Sequence, residues 1–476
     1  MIDVTVVGSG PNGLSAAVTA ARAGLSVRLL EAASTLGGGL RTSELTLPGF
    51  QHDVCSAVHP AALASPFFRS FGIAERIDWI VPEISYAHPL DHGKAGIAWR
   101  DLDRTVDELG QDGRAWRALL EPLLSRVDGV VDFTGSQLLR WPADPLAVLR
   151  YGLRALEQGS SLGRIRFRGE IAPAMLAGTA AHASGRHPSL AAAGAGLLLA
   201  THAHAGGWGF PMGGSQAIAD VLVADLLAHG GAVETGVRIE SLAELEPSRV
   251  ILLDTSPELL LTADLPAAYR RALGRYRYGP GAAKVDFALA GPVPWSNAEV
   301  RRSPTVHLGG TRAEIAASEN AVMRGSVAEH TYVLVTQPSV LDDSRAPAGK
   351  HVLWAYIHVP SGSTLDATEL ITAQVERYAP GFRELILAST ARSATDLAAY
   401  NPNYIGGDIY SGALNLRQLV KRPVVSATPW RTPIEGVYLC SSATPPGPAV
   451  HGMNGWYAAT LALKDRFGIT APPVLR

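Results

Sequence analysis

Three glycines near the start of the chain have the spacing of a phosphate cradle. Gly8, Gly10 and Gly13 in "VVGSGPNG" follow the β-branched run "IDVTVV" and precede "NGLSAAVTAARAG", where small and apolar residues recur at helical spacing. "SVRLLE" then resumes as a strand that closes on Glu31. In such a strand–helix–strand unit the first glycine permits the tight turn and the second lets backbone approach a pyrophosphate. The third lets the helix pack closely on the strand. The helix N-terminus offers free N–H groups and positive dipole charge to the phosphates. Glu31 is placed to accept the hydroxyls of an adenosine ribose, and disfavours a 2′-phosphate. The pattern predicts a dinucleotide site.

A second glycine run, Gly37, Gly38 and Gly39 in "EAASTLGGGLRT", has no use in a nicotinamide site. It suits the longer FAD, which runs past the first βαβ unit and needs backbone close to it, with Arg41 reaching the pyrophosphate or the flavin edge. At the far end "GVYLCSSATPPGPAVHGMNGWYAA" (436–459) reads as strand, loop and helix start. That helix N-terminus can face the flavin edge where negative charge accumulates on reduction, with Gly452 and Gly455 allowing close approach. His451 there is read either as a donor to the ring or as a plain capping residue.

Four further groups carry chemistry. Lys284 in "GAAKVDFAL" sits in an apolar strand, with Asp286 two residues on and on the same face. "HDVCSAVHP" (52–60) holds His52, Asp53, Cys55 and His59, in a spacing that matches no structural zinc pattern, so no metal is expected. "YNPNYIGGD" (400–408) is turn chemistry whose Tyr400 and Tyr404 either frame a substrate or pack between domains. Cys55 and Cys440 form no C-x-x-C, which excludes a dithiol redox centre.

These residues need a scaffold of some size, and 476 residues imply two domains. A hydrophobic fraction of 47% with 18% charged residues is that of a globular protein. The net charge of -2 leaves no basic excess for nucleic acid. No signal peptide or spanning segment is read, so a cytoplasmic protein is expected. A peripheral membrane contact built from several segments stays open, as does the oligomeric state. Residues 63–205 are rich in Leu, Ala and Arg at helical spacing, as in "PLAVLRYGLRALEQ", and read as a helical lid. Residues 276–395 alternate like strands.

"GSGPNG", "LEAASTLGGGLRT", "GFQHDVCSAVHP", "GAAKVDFALAGPVPW", "YNPNYIGGD" and "LCSSATPPGPAVHGMNG" together resemble the phytoene desaturase-like flavoproteins. Within them the chain looks most like the branch of the pyridine nucleotide-disulfide oxidoreductase domain-containing protein 2 homologues. It departs from the carotenoid desaturases, which carry "GGR" and "GAGTHPG" where this chain has "GGGLR" and "SSATPPG". The resemblance implies an α/β fold with a discontinuous, glutathione reductase-like Rossmann domain made of 1–62, 206–275 and 396–476. Between those pieces lie the helical lid (63–205) and a mixed-sheet substrate region (276–395). It extends the FAD contacts to Pro11, Asn12, Ala32, Leu40, Thr444 and Met453, and to Val237, whose match in relatives of this fold touches the adenine through its backbone. It gives Lys284 the alternative of approaching flavin N5 through water, as a lysine does in related amine oxidases, and brings His59 close to the isoalloxazine.

No second G-x-G-x-x-G lies in a strand–helix setting, so a separate NAD(P)H domain is not expected. The function expected is removal of two hydrogens from a partly apolar small molecule by hydride transfer to flavin N5, with reoxidation by oxygen, a quinone or another acceptor. Carbon–carbon desaturation comes first and amine oxidation second. A redox-neutral isomerase and a flavin-stabilised binding protein without turnover are the remaining alternatives.

Overall fold

A computed structural model describes residues 2–476, and its chain passes repeatedly between two sheets. It opens with β1 (Ile2–Val7), α1 (Pro11–Arg22) and β2 (Val27–Glu31). A hairpin, β3 (Ile84–Pro89) and β4 (Ala95–Trp99), then belongs to the second sheet. Among the helices that follow are α2 (Pro145–Gln158), α3 (Ile171–Ala181) and α4 (Leu190–Ala205). The chain returns to the first sheet through α5 (Gln216–Ala228), β5 (Ala232–Thr235) and β6 (Ser248–Leu253). It leaves again for β7 (Gly281–Leu289), β8 (Thr305–Leu308), β9 (Val333–Thr336), β10 (His351–Val359) and β11 (Ile386–Arg392). It ends in β12 (Val437–Leu439) and α6 (Met453–Phe467).

The first sheet has the order β12-β6-β1-β2-β5 and all its pairs are parallel. With β1 central, Val4 and Val6 are sealed beneath α1, whose Leu14, Ala17 and Val18 meet them in one apolar cluster with α5 and α6. This is an open parallel α/β sheet, which places ligands outside the carboxyl ends of its strands. The second sheet has the order β11-β7-β10-β9-β8-β3-β4 and is antiparallel except between β8 and β3. β7 is buried along its whole length. Ala283, Val285, Phe287 and Leu289 fill one side, so Lys284 and Asp286 share the other with Trp354 and Tyr356, their cross-strand neighbours on β10.

The hairpin β3–β4 lies in a stretch expected to be helical, and it adds two strands to the edge of the mixed sheet. The reason is local: "ISYAHP" is buried on both faces, between β8 and the helices, and shows no polar alternation. α3 and α4 are buried on most sides, whereas α2 buries only Ala147, Ala155 and Gln158.

Candidate cofactor and substrate cavity

The turn after β1 is crowded, and glycine is what makes it fit. Gly8 has φ +98, and a Cβ on Gly13 would lie 2.0 Å from the Gly8 carbonyl oxygen. The second glycine run is folded directly onto the first, since a Cβ on Gly38 would lie 2.9 Å from Gly10 Cα. Two runs twenty-odd residues apart in sequence thus make one backbone-walled cleft, a cradle that side chains would fill. Such a cradle, closed by a helix start, suits a diphosphate.

Glu31 ends β2 at the rim of this cleft. Its Oε2 accepts from Ser9 N (3.0 Å) and Ser9 Oγ, and its Oε1 from Ala33 N (2.9 Å). Arg41 pairs with the same carboxylate at 3.2 Å, and also donates to Thr35 O and to the Tyr400 hydroxyl (3.2 Å). Val237 closes the opposite side, its N–H donating to Glu31 O at 2.9 Å. One acid in the cleft has no counterpart in the sequence reading. Asp254, just past β6, accepts from Gly13 N at 2.9 Å and lies against Gly10. Burial, reinforced by the nearby Glu31 charge, raises its carboxyl to about 7, and the Gly13 N–H works against that rise.

The cleft continues into a cavity of about 920 Å³, at the upper end for a small-molecule site. Its wall runs from Gly8, Ser9, Gly10, Pro11 and Asn12 past Glu31, Ala32, Gly38, Gly39, Arg41 and Val237. It ends among Leu334, Trp354 and Tyr356 of the second sheet, Tyr400 and Tyr404, and Leu198, Leu199 and His202 of α4. Both tyrosines of "YNPNYIGGD" therefore face the cavity rather than only joining lobes.

The other expected residues divide. His59 is on the wall, its Nε2 2.8 Å from Ser215 Oγ, and burial lowers it to about 4. Lys284 is not on the wall. Its ammonium donates to Asp286 (2.6 and 2.8 Å) and to Asp53 O (2.9 Å), behind Trp354. Burial draws the Lys284 pKa down and that of Asp286 up, while their pairing opposes both shifts. The motif "HDVCSAVHP" is split the same way. Cys55 and His59 reach the cavity, whereas Asp53 pairs with Arg345 (3.1 Å) and His52 lies 3.5 Å from Asp286 in one buried charge knot.

The C-terminal motif reaches the wall in part. His451, Gly452, Met453, Thr444 and Leu40 are absent from the wall, and only Ser441, Ser442 and Pro448–Val450 of that region line it. His451 Nδ1 accepts from Met453 N at 3.1 Å, so it caps α6, and burial lowers it to about 4. Gly455 serves helix packing: a Cβ there would lie 1.8 Å from Asn12 O on α1. Thr444 is held by Asn454, whose Nδ2 donates to its carbonyl at 2.7 Å. Gly13 likewise packs the loop without facing the cavity.

His182, at the end of α3, is a wall residue that the sequence reading missed. Its Nε2 lies 2.9 Å from Nε2 of His307 on β8, and burial lowers it to about 3. No motif surrounds it in "AAHASG", and only the packing of α3 on β8 brings the two rings together.

Comparisons with known proteins agree with this architecture. A profile described as an NAD(P)-binding Rossmann-like domain matches residues 6–71. Pyridine nucleotide-disulfide oxidoreductase domain-containing protein 2 of Rattus norvegicus is 24% identical, over 97% of this chain and 93% of its own length. Among solved structures, a triple mutant of putrescine oxidase made to redesign cofactor binding superposes with a TM-score of 0.60 at 16% identity, covering 98% of each chain. Cyclohexylamine oxidase from Brevibacterium oxydans gives 0.58 at 14% identity, over 98% of this chain and 99% of its own. The resemblance read from motifs at both ends is borne out along the length of the chain: it is similar to pyridine nucleotide-disulfide oxidoreductase domain-containing protein 2 and has the fold of these oxidases.

Proposed function

We propose that this protein is an FAD-dependent oxidoreductase that removes two hydrogens from a partly apolar small molecule, leaving a C=C bond. The observation that carries the reading is the single cavity, which begins at the glycine cradle and Glu31 and ends in an aromatic chamber on the second sheet. When bound, FAD supplies the two-electron acceptor, with oxygen, a quinone or another diffusible oxidant as the final sink.

The chain's own residues bind, orient and exclude water. Gly8 to Asn12 and the start of α1 take the diphosphate, and Glu31 takes the ribose hydroxyls. Arg41 offers positive charge beside them. At the far end Trp354, Tyr356 and Tyr404 form apolar walls. His59, His182 and His202, lowered by burial to about 4, 3 and 4, are neutral at pH 7, and the first two orient through hydrogen bonds to Ser215 and His307. The carboxylates on the wall, Glu31, Glu240, Asp254 and Glu258, all come from the first lobe. An ammonium group in the chamber finds no counter-charge there, which favours carbon–carbon dehydrogenation. Amine oxidation is the second reading, supported by aromatic walls able to face a cation and by the names of the two structural neighbours.

Anaerobic mixing of the FAD-loaded protein with neutral apolar substrates and with amines tests this directly. Loss of the oxidised-flavin absorbance with neutral substrates is the expected result. Bleaching by amines alone turns the assignment to amine oxidation. A protein that takes up no FAD overturns both readings.

A further inference from the structure

Half of the large hydrophobic side chains exposed among the described residues fall between positions 139 and 165. On α2, Leu146, Leu149, Leu153 and Leu156 repeat at intervals of three and four, which puts them on one side of the helix. Leu149, Leu153 and Leu156 are 53–56% exposed. Beyond the helix ends, Trp141 is 86% exposed and Ile165 81%.

The helix is firmly seated from beneath, so this face is not a frayed end. Ala147, Ala155 and Gln158 are buried on its inner side. Tyr151 donates its hydroxyl to Gly194 O of α4 (2.7 Å), and Arg154 Nε donates to Leu119 O (2.7 Å). Asp144 caps the first turn through Leu146 N and Ala147 N.

The rim of the face is cationic. Positions 140–168 hold six arginines against two carboxylates, Asp144 and Glu157, in a chain whose net charge is -2. Both carboxylates are already paired, Asp144 with Arg126 and Glu157 with Arg166. Arg150, Arg164 and Arg168 have no carboxylate partner among the described residues.

We propose that this face docks on an anionic lipid bilayer, with α2 lying in the plane of the interface. An amphipathic helix with leucines outward, arginines on it and in the sequence that follows, and a flanking tryptophan has the composition that such an interface selects. A second copy of this chain is the rival occupant, and charge argues against it. Two-fold pairing sets the same unneutralised arginines against each other with no acidic stripe between them. The docked orientation brings the lipid within one helix layer of the cavity, because α2 packs on α4 and α4 supplies Leu198 and Leu199 to the wall. The docking itself does not depend on which reaction the cavity performs.

Co-sedimentation of the full chain with vesicles decides the matter, using phosphatidylcholine alone and an equimolar mixture with phosphatidylglycerol. The wild type is expected to bind the anionic vesicles at least about tenfold more tightly, with affinity falling as salt rises. Leu149→Gln with Leu153→Gln changes only outward side chains and is expected to lose about tenfold or more of that binding while circular dichroism stays unchanged. Arg150→Gln with Arg164→Gln and Arg168→Gln is expected to abolish the preference for anionic lipid, and serves independently should the leucine variant fold poorly. Absence of the wild type from both vesicle pellets overturns the proposal, as does undiminished binding by both variants. A dimer seen by light scattering that depends on Leu149 and Leu153, with no vesicle binding, assigns the face to a second copy instead.

Discussion

Replacing Asp254 with Asn removes an ionisable group from the floor of the glycine cradle while keeping its shape. The Asn Oδ1 can still accept from Gly13 N, the bond of 2.9 Å that the carboxylate makes. The consequence for stability follows from the raised carboxyl, about 7 in the fold against 3.8 in an unfolded chain. Below about pH 4 the group is protonated in both states and costs nothing. Between 4 and 7 the unfolded chain releases the proton while the folded chain keeps it, so stability falls as pH rises. Above 7 both are ionised and the penalty is constant, on the order of 4 kcal/mol from the separation of the two values. Asp254→Asn is therefore expected to match wild type near pH 4 and to exceed it at pH 8, with a melting temperature higher by roughly 4 °C for a chain of this size. The cofactor should report the same proton. Wild-type FAD affinity is expected to fall above pH 7 by as much as about tenfold per unit as the carboxylate and diphosphate repel, and the variant to show no such slope. Urea melts of the apoprotein at both pH values and fluorescence of released FAD measure the two effects. A stability difference that is the same at pH 4 and pH 8, or a variant that retains the FAD slope, refutes the reasoning.

Other substitutions probe the rest of the site. Lys284→Met leaves the buried Asp286 unpaired and should cost about 3–5 kcal/mol, with much of it recovered by adding Asp286→Leu; denaturant melts of the two variants check this. If that folded double variant instead loses the reaction of reduced flavin with oxygen, Lys284 acts on the flavin despite its place behind Trp354. Glu31→Ala removes the acceptor of Ser9, Ala33 and Arg41 together and should weaken FAD retention by at least about tenfold, the loss of a charge-assisted hydrogen bond; unaltered retention after dialysis excludes the ribose assignment. Gly455→Ala forces a methyl against Asn12 O and should destabilise by about 1–3 kcal/mol or more, seen as a lower melting temperature with cofactor affinity reduced in parallel.

The βαβ unit was legible because its evidence is local: β-branched residues, glycine spacing and a terminal acid all fall within thirty residues. The pairing of Lys284 with Asp286 was also legible, since two positions apart on a strand means one face. Asp254 was not, because its importance comes from β6 lying beside β1, a neighbour relation between segments some 240 residues apart. The hairpin β3–β4 was hidden by its setting, wrapped in helical sequence and buried on both faces. Gly452 and Gly455 were visible as special residues, but they meet α1 where α6 crosses it, and only the helix crossing reveals that.

The first sheet also constrains how the chain is made. Its central strand emerges long before its β12 edge and before α6, which packs on α1. Ser15 Oγ on α1 donates to Gly452 O, 437 residues away in sequence. On the ribosome, the part of α1 that α6 covers therefore stays open while the strands of the second sheet emerge, so the nucleotide lobe closes late. Such a long-range closure is slow, and it leaves sticky surface exposed in the meantime. Loss of the final helix would leave that lobe open for good, however intact the glycine motif.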